Sequence, residues 1–244
     1  MTEMSNLSHD ALLDHMQACE DLLNASSLGR LRDVEKALNK GANPNFLRTD
    51  QGALMIATRR NYPDIVARLI EAGADINQSM RNGWTPLLEA SRQNLPEILD
   101  VFVKNGANVD QWDGEGMTAL YVAVRAKSEE AALYLITKKA ALDISTFTGT
   151  TPLMEAVFKE QDGIAKILIG AGANVLMQDS DKKTALDHAR AASWKDGISI
   201  LEGAERLAKK IQSAPPVEVV SSEVVVEEVS SVSTSIKKRK GLSS

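Results

Sequence analysis

The chain has 244 residues, of which 43% are hydrophobic and 25% charged, the balance of a folded, soluble globular protein. Only 4% are aromatic, so Leu, Ala, Ile and Val must fill the interior, which suits many small, similar helix contacts better than one large core. The formal charge of −5 disfavours nucleic acid as a partner, and the single Cys19 excludes an internal disulfide framework and any multi-cysteine metal site.

Residues 1–8 are polar and acidic residues follow early, so no signal peptide or membrane span is expected at this end. The chain is therefore expected to be cytoplasmic, and one cysteine fits a reducing compartment. Ser8 is placed to cap a first helix on which Leu12, Met16, Cys19 and Leu23 share a face, giving a helical extension over residues 1–19. A repeat region is expected from 20 to 210. Its first unit carries Leu22 and Ala25, followed by Gly29, Val34 and Leu38.

From there the chain repeats itself. Thr85, Thr118, Thr151 and Thr184 stand 33 residues apart, followed in step by Leu87, Leu120, Leu153 and Leu186 and by Ala90, Ala123, Ala156 and Ala189. Leu54 and Ala57 extend the ladder backwards. Gly73-Ala74, Gly106-Ala107, Lys139-Ala140 and Gly172-Ala173 keep the same period, with Gly41-Ala42 offset by 32. The spacing predicts units of helix, short turn, helix and projecting loop. Thr caps the first helix, Pro occupies its first turn, and Gly ends the second helix in a left-handed conformation. Asn and Asp then turn the chain. No unit buries its apolar face alone, so six are expected to stack, the outer two as caps.

Gly83-Trp84-Thr85-Pro86-Leu87, Ile98-Leu99 and Gly106-Ala107-Asn108-Val109-Asp110, written again from Gly149 to Val175, resemble ankyrin repeats over about three quarters of the chain. The resemblance implies an all-α ankyrin-repeat solenoid with β-hairpin-like loops. It also implies a non-enzymatic adaptor that binds another protein through a groove lined by first helices and through the loop tips. Two departures stand out. The family's His after the Leu is replaced by Met55, Leu88, Tyr121, Met154 and Asp187, which predicts more apolar contact between units. Lys139 stands where Gly should end the helix, which predicts an altered turn or a weak point.

No residue pattern supports catalysis. His15 and Cys19 share a helix face at i, i+4, but nothing orients them, and a buried cap cysteine beside an edge histidine accounts for both. No phosphate loop, metal-ligand spacing or nucleophile elbow is present, so no cofactor and no small-molecule substrate is expected.

Binding residues are expected on two surfaces. Arg59, Arg92 and Arg125 recur every 33 residues at the ends of first helices, followed by Phe158, with Arg60, Gln93 and Lys159 beside them. They form a candidate ladder for acidic groups, since a guanidinium grips a carboxylate in two places. Glu89 could instead pair with Arg92 at i, i+3. The loops carry Met80, Arg81 and Trp84, then Trp112 and Asp113, then Phe147, aromatic-rich for so aromatic-poor a chain. Trp84 has the competing role of packing on the next loop.

Beyond 210 the sequence turns to Ser, Val and Glu, and residues 211–244 are expected to form a disordered tail. Its Val/Glu stretches resemble motifs that bind ubiquitin-like modifiers. Lys237, Lys238, Arg239 and Lys240 resemble a localisation signal, which leaves a nuclear regulator or exported effector as the alternative to a monomeric cytoplasmic adaptor.

Overall fold

Four threonines start four helices in the same way. In the computed structural model, which describes residues 9–213, Thr85, Thr118, Thr151 and Thr184 each have extended backbone. Each accepts, through its hydroxyl, the N–H three residues on, from Leu88, Tyr121, Met154 and Asp187 respectively. The first helices of the last four units follow: α5 (Pro86–Arg92), α7 (Ala119–Arg125), α9 (Pro152–Phe158) and α11 (Ala185–Ala191). They are preceded by α1 (His9–Leu28) and α3 (Ala53–Arg59). Their partners are α2 (Leu31–Asn39), α4 (Pro63–Glu71), α6 (Pro96–Lys104), α8 (Glu129–Thr137), α10 (Asp162–Gly170) and α12 (Lys195–Ser213). Six helix pairs result, as the period predicts.

The pairs stack in order, α1 on α3, α3 on α5, α5 on α7, α7 on α9 and α9 on α11, with the second helices α2, α4, α6, α8 and α10 stacked alongside. First-helix Leu and Ala positions are buried throughout, Leu87 with Ala90 and Leu120 with Ala123 among them. The small Ala lets neighbouring helices approach. Second helices contribute their own ladder: Ile65, Val66 and Leu69, then Ile98, Leu99 and Phe102, then Ala131, Ala132 and Leu135, then Ile164, Ala165 and Leu168. Met55, Leu88, Tyr121 and Met154, which replace the family histidine, are also buried, whereas Asp187 in the last unit is exposed.

Loops join one unit to the next. Asn45 Oδ1 accepts the Asp75 N–H, Asp110 Oδ1 that of Ala141, and Asp143 Oδ1 that of Asn174, at 2.6–2.8 Å. The Asn/Asp of the pattern therefore bridges units as well as turning the chain. At the loop tips Gly83, Gly116 and Gly149 have φ of +78 to +81°, and a Cβ on any of them would lie within 3.0 Å of the next loop's backbone. That closeness permits the bonds Gly114 N–H to Asn82 O, Phe147 N–H to Glu115 O and Ser180 N–H to Thr148 O. The first loop is a short hairpin of β1 (Leu47–Arg48) and β2 (Gln51–Gly52), antiparallel with Leu47 opposite Gly52.

Three expectations are corrected. The expected boundary at residue 19 falls inside α1, which runs unbroken from His9 to Leu28 and buries Cys19, Leu22 and Leu23. On that helix Leu12 and Met16 are exposed, so the expected apolar face is buried only in its C-terminal half. Lys139 does not alter its turn: it adopts φ 63°, like the glycines at its position, and its N–H bonds the Ile136 carbonyl in the same way. The last unit departs from the aliphatic pattern and stays packed. Gly197 stands where Ile164 stands one unit earlier, and the Trp194 ring occupies the space, so close that a Cβ on Gly197 would lie 1.8 Å from it.

The last helix extends past 210 to Ser213. Ser8, the Val/Glu stretches and Lys237, Lys238, Arg239 and Lys240 lie outside the described residues.

Candidate functional site

Arg59, Arg60, Trp84, Arg92, Gln93 and Arg125 come together at and beside the ends of the first helices. Two open hollows lie there, sharing a wall made of Trp84 and Arg92. One, about 750 Å³, is bounded by Arg59, Arg60, Gln93, Gln51 and Ile56. The other, about 440 Å³, is bounded by Arg125, Met117, Val122 and Ala126.

A buried carboxylate organises the first hollow. Glu89 sits on α5 with 2% of its side chain exposed. Its Oε1 accepts from Arg92 at 2.7 Å and from Gln93 at 2.6 Å, and lies 3.7 Å from Arg59 Nε. Its Oε2 accepts from the Trp84 indole N–H at 2.8 Å. Burial pushes this carboxyl up, but the bonds from Arg92, Gln93 and Trp84 and the Arg92 charge outweigh it and hold Glu89 below its ordinary value. The pairing of Glu89 with Arg92 weighed from the sequence is therefore present, and Arg59 and Gln93 join it. Arg59 and Arg92 are anchored cations with outward faces, 34% and 51% exposed, rather than free rungs. Arg60 is exposed, and among the described residues no carboxylate forms an ion pair with it.

The same position recurs on α9. Glu155 is buried and accepts the Tyr121 hydroxyl at 2.9 Å, with Lys159 Nζ at 3.8 Å. Burial, then the bond to Glu155, pushes the Tyr121 phenol up, so it remains a proton donor. On α7 the position is Val122, buried and apolar. On α11 it is His188, whose Nε2 lies 2.6 Å from Asp179 Oδ2 and whose ring tilts against Phe158 at 4.6 Å. The floor thus runs from a charged hub, over an apolar step, to a second carboxylate and an aromatic end.

Arg125 closes the second hollow, with Nη1 3.0 Å from Met117 Sδ and 3.9 Å from Glu115. Met80 touches Arg59 through its sulfur at 3.7 Å. Arg81 projects outward, and its backbone N–H bonds Asp50. Trp112, Phe147 and Phe158 are exposed by 56%, 72% and 49%. Trp84 is half-buried, its indole N–H held by Glu89, and it lines both hollows.

Asp113 is a correction. It is 5% exposed, and its Oδ1 accepts the N–H groups of Glu115 and Met117 at 2.9 Å. Asp179 does the same for Asp181 and Lys183 one loop pair later. Asp113 folds its loop and is not a surface contact.

Sequence reading named the cations but missed Glu89 as their organiser and Met117, Val122 and Ala126 as apolar walls. The break in the Glu89, Val122, Glu155 ladder was the available signal, because an apolar residue between two buried acids divides the floor. Elsewhere, Cys19 is 1% exposed, with its sulfur 3.7 Å from His15 Nε2 and accepting the Asn43 N–H. Among the described residues no group of His, Cys, Asp and Glu is placed to hold a metal ion, and no helix is long and apolar enough to cross a membrane.

Stacked helix pairs with bridging loops define a repeat-built solenoid. The family model described as ankyrin repeats (3 copies) matches residues 22–113 and 90–179. The chain belongs to the ankyrin-repeat family. Among solved structures it is similar to an ankyrin repeat domain (ABAYE2397) from Acinetobacter baumannii AYE. That likeness is 29% identity and a TM-score of 0.71 over 75% of this chain and 97% of the other. The ankyrin repeat protein EF0377 is similar at 26% identity and TM-score 0.70, over 75% and 97%. The ankyrin repeat domain of Bcl-3, a member of the IkappaB protein family, is similar at 25% identity and TM-score 0.72, over 75% and 85%. No curated protein matches the chain significantly.

Proposed function

We propose that this protein is an adaptor that holds another protein against the first-helix side of its stack, in the hollows around Trp84 and Arg92 and on the aromatic loop tips. Ankyrin repeats are in general protein–protein interaction modules. The observation that carries the reading here is the anchoring of Arg59 and Arg92 by buried Glu89, which holds two cations and an indole in fixed positions at a concave surface. Side chains held in place before binding lose little entropy when a partner arrives, and Arg and Trp are enriched among residues that dominate interfaces. Trp112, Phe147 and Phe158 add exposed aromatic surface. The stack acts as a monomer in this reading.

The anchoring also dictates the test. Replacing Arg59 or Arg92 by Glu would set a second carboxylate beside Glu89 and disturb the fold, so the informative substitutions are on Arg60, Arg125 and Phe158. Affinity capture from the native lysate with the full chain and with the Arg60→Glu/Arg125→Glu/Phe158→Ala variant is expected to recover a protein with the first and lose it with the second. Equal recovery by a variant with unchanged circular dichroism would contradict the reading.

A further inference from the structure

The two hollows differ in chemistry while sharing a wall, and the difference specifies what can lie across them. The first presents the guanidiniums of Arg59, Arg60 and Arg92 against a single carboxylate, Glu89, whose oxygens are already taken by Arg92, Gln93 and Trp84. Its remaining hydrogen-bonding capacity is donor-rich and positive, so it suits a carboxylate. The second is electrically balanced. Arg125 faces Glu115, the Asp113 carboxylate is turned into its own loop, and Met117, Val122, Ala126 and the Trp84 ring supply apolar surface. That hollow suits an aliphatic or aromatic side chain.

Trp84 and Arg92 line both, so the hollows are neighbours one unit apart, about 8–10 Å by the usual spacing of packed helices. An extended chain advances about 3.3 Å per residue, so this gap is crossed in two or three residues.

Building on the reading above, we propose that the partner segment is an extended peptide that places an Asp or Glu in the Arg59/Arg60/Arg92 hollow and an apolar side chain, two or three residues away, in the Met117/Val122/Ala126 hollow. Trp84 is the divider that sets the spacing, and Glu89 fixes Trp84 from one side and Arg92 from the other. A like-charged segment is rejected at the first hollow and a wholly polar one at the second, so recognition needs both features together.

The test uses the full chain and a phage-displayed library of random 12-residue peptides, with enriched sequences remade as fluorescent peptides and measured by anisotropy at low salt. Three variants whose changes fall on exposed residues serve as probes, each checked for an unchanged thermal melt: Arg60→Glu, Ala126→Trp, and the Arg60→Glu/Arg125→Glu/Phe158→Ala combination. The enriched peptides are expected to share an acidic residue two or three positions from an apolar one. Arg60→Glu should weaken them at least about tenfold, with recovery when the peptide acid is changed to Lys. Ala126→Trp, which fills the second hollow, should weaken them by a similar factor and be insensitive to that change. Peptides that need the groove, shown by loss with the combined variant, yet lack the acidic–apolar pair or ignore both single variants, would overturn this proposal and leave the groove reading standing. Peptides indifferent to the combined variant as well would overturn both. A library that yields no enriched peptide at all also counts against the proposal.

Discussion

At the scale of single residues, the backbone conformations least visible in the sequence are the left-handed ones occupied by side chains other than glycine. Asn61, Asn94, Lys127, Glu160 and Ser193 all have φ between 51 and 60° and stand 33 residues apart, in the turn between the two helices of every unit after the first. Asn is the natural occupant, because its short amide tolerates this region, and Asn94 also accepts the Ala131 N–H of the next unit. Lys139 carries the same strain at the helix end. Lys139→Gly is expected to raise stability by about 1 kcal/mol, a rise in Tm of roughly 2–4 °C for a domain of this size, measured by thermal unfolding. A lowered Tm would mean that the lysine side chain contributes more than its backbone strain costs.

Glu89 yields the second residue-scale expectation. Its carboxyl lies below its ordinary value of 4.5, so the stability it adds is present above that pH and is lost as the pH falls through the folded value. Glu89→Gln is expected to cost about 1–3 kcal/mol at pH 7, from the loosened Arg92, Gln93 and Trp84 bonds. The gap from wild type should narrow below pH 4.5, as followed by urea unfolding at several pH values. A gap constant with pH would show that the charge of Glu89 is not what holds the cluster.

At the scale of elements, the legible features were those with one local cause. Thr-Pro starts, Leu/Ala faces and Gly ends each follow from a single position, and the structure has them in place. What escaped were substitutions made good by a residue elsewhere. Gly197 breaks the last unit's aliphatic pattern, yet Trp194 lies in the volume an isoleucine would fill and is only 9% exposed. No periodic reading finds this, because the compensating ring comes from the turn before the helix. Gly197→Ala is expected to displace that ring and destabilise the α11/α12 pair by about 1–3 kcal/mol, detected as faster hydrogen exchange in those helices alone. Unchanged exchange there would show that Trp194 can move aside without loss.

The whole molecule shows why a site built from many units is harder to read than the units themselves. Arg59, Arg92 and Arg125 look equivalent in sequence, at one period and one helix position. The structure separates them by what stands beneath: Glu89 under the first two, and Met117 and Val122 near the third. Equivalent cations thereby border chemically different hollows. Asp113 failed as a surface residue for a related reason. Nothing in its immediate sequence distinguishes an outward loop acid from one whose oxygen closes the loop on its own N–H groups.

The side of the stack that does the binding decides the account, and hydrogen exchange of the captured complex against the free full chain reads it directly. Added protection is expected in the loops around Met80 to Trp84, Trp112 to Met117 and Phe147, and at the ends of α3, α5, α7 and α9. Protection confined instead to α4, α6, α8 and α10, with the loops unchanged, would place the partner on the opposite face and contradict the proposed role of the groove.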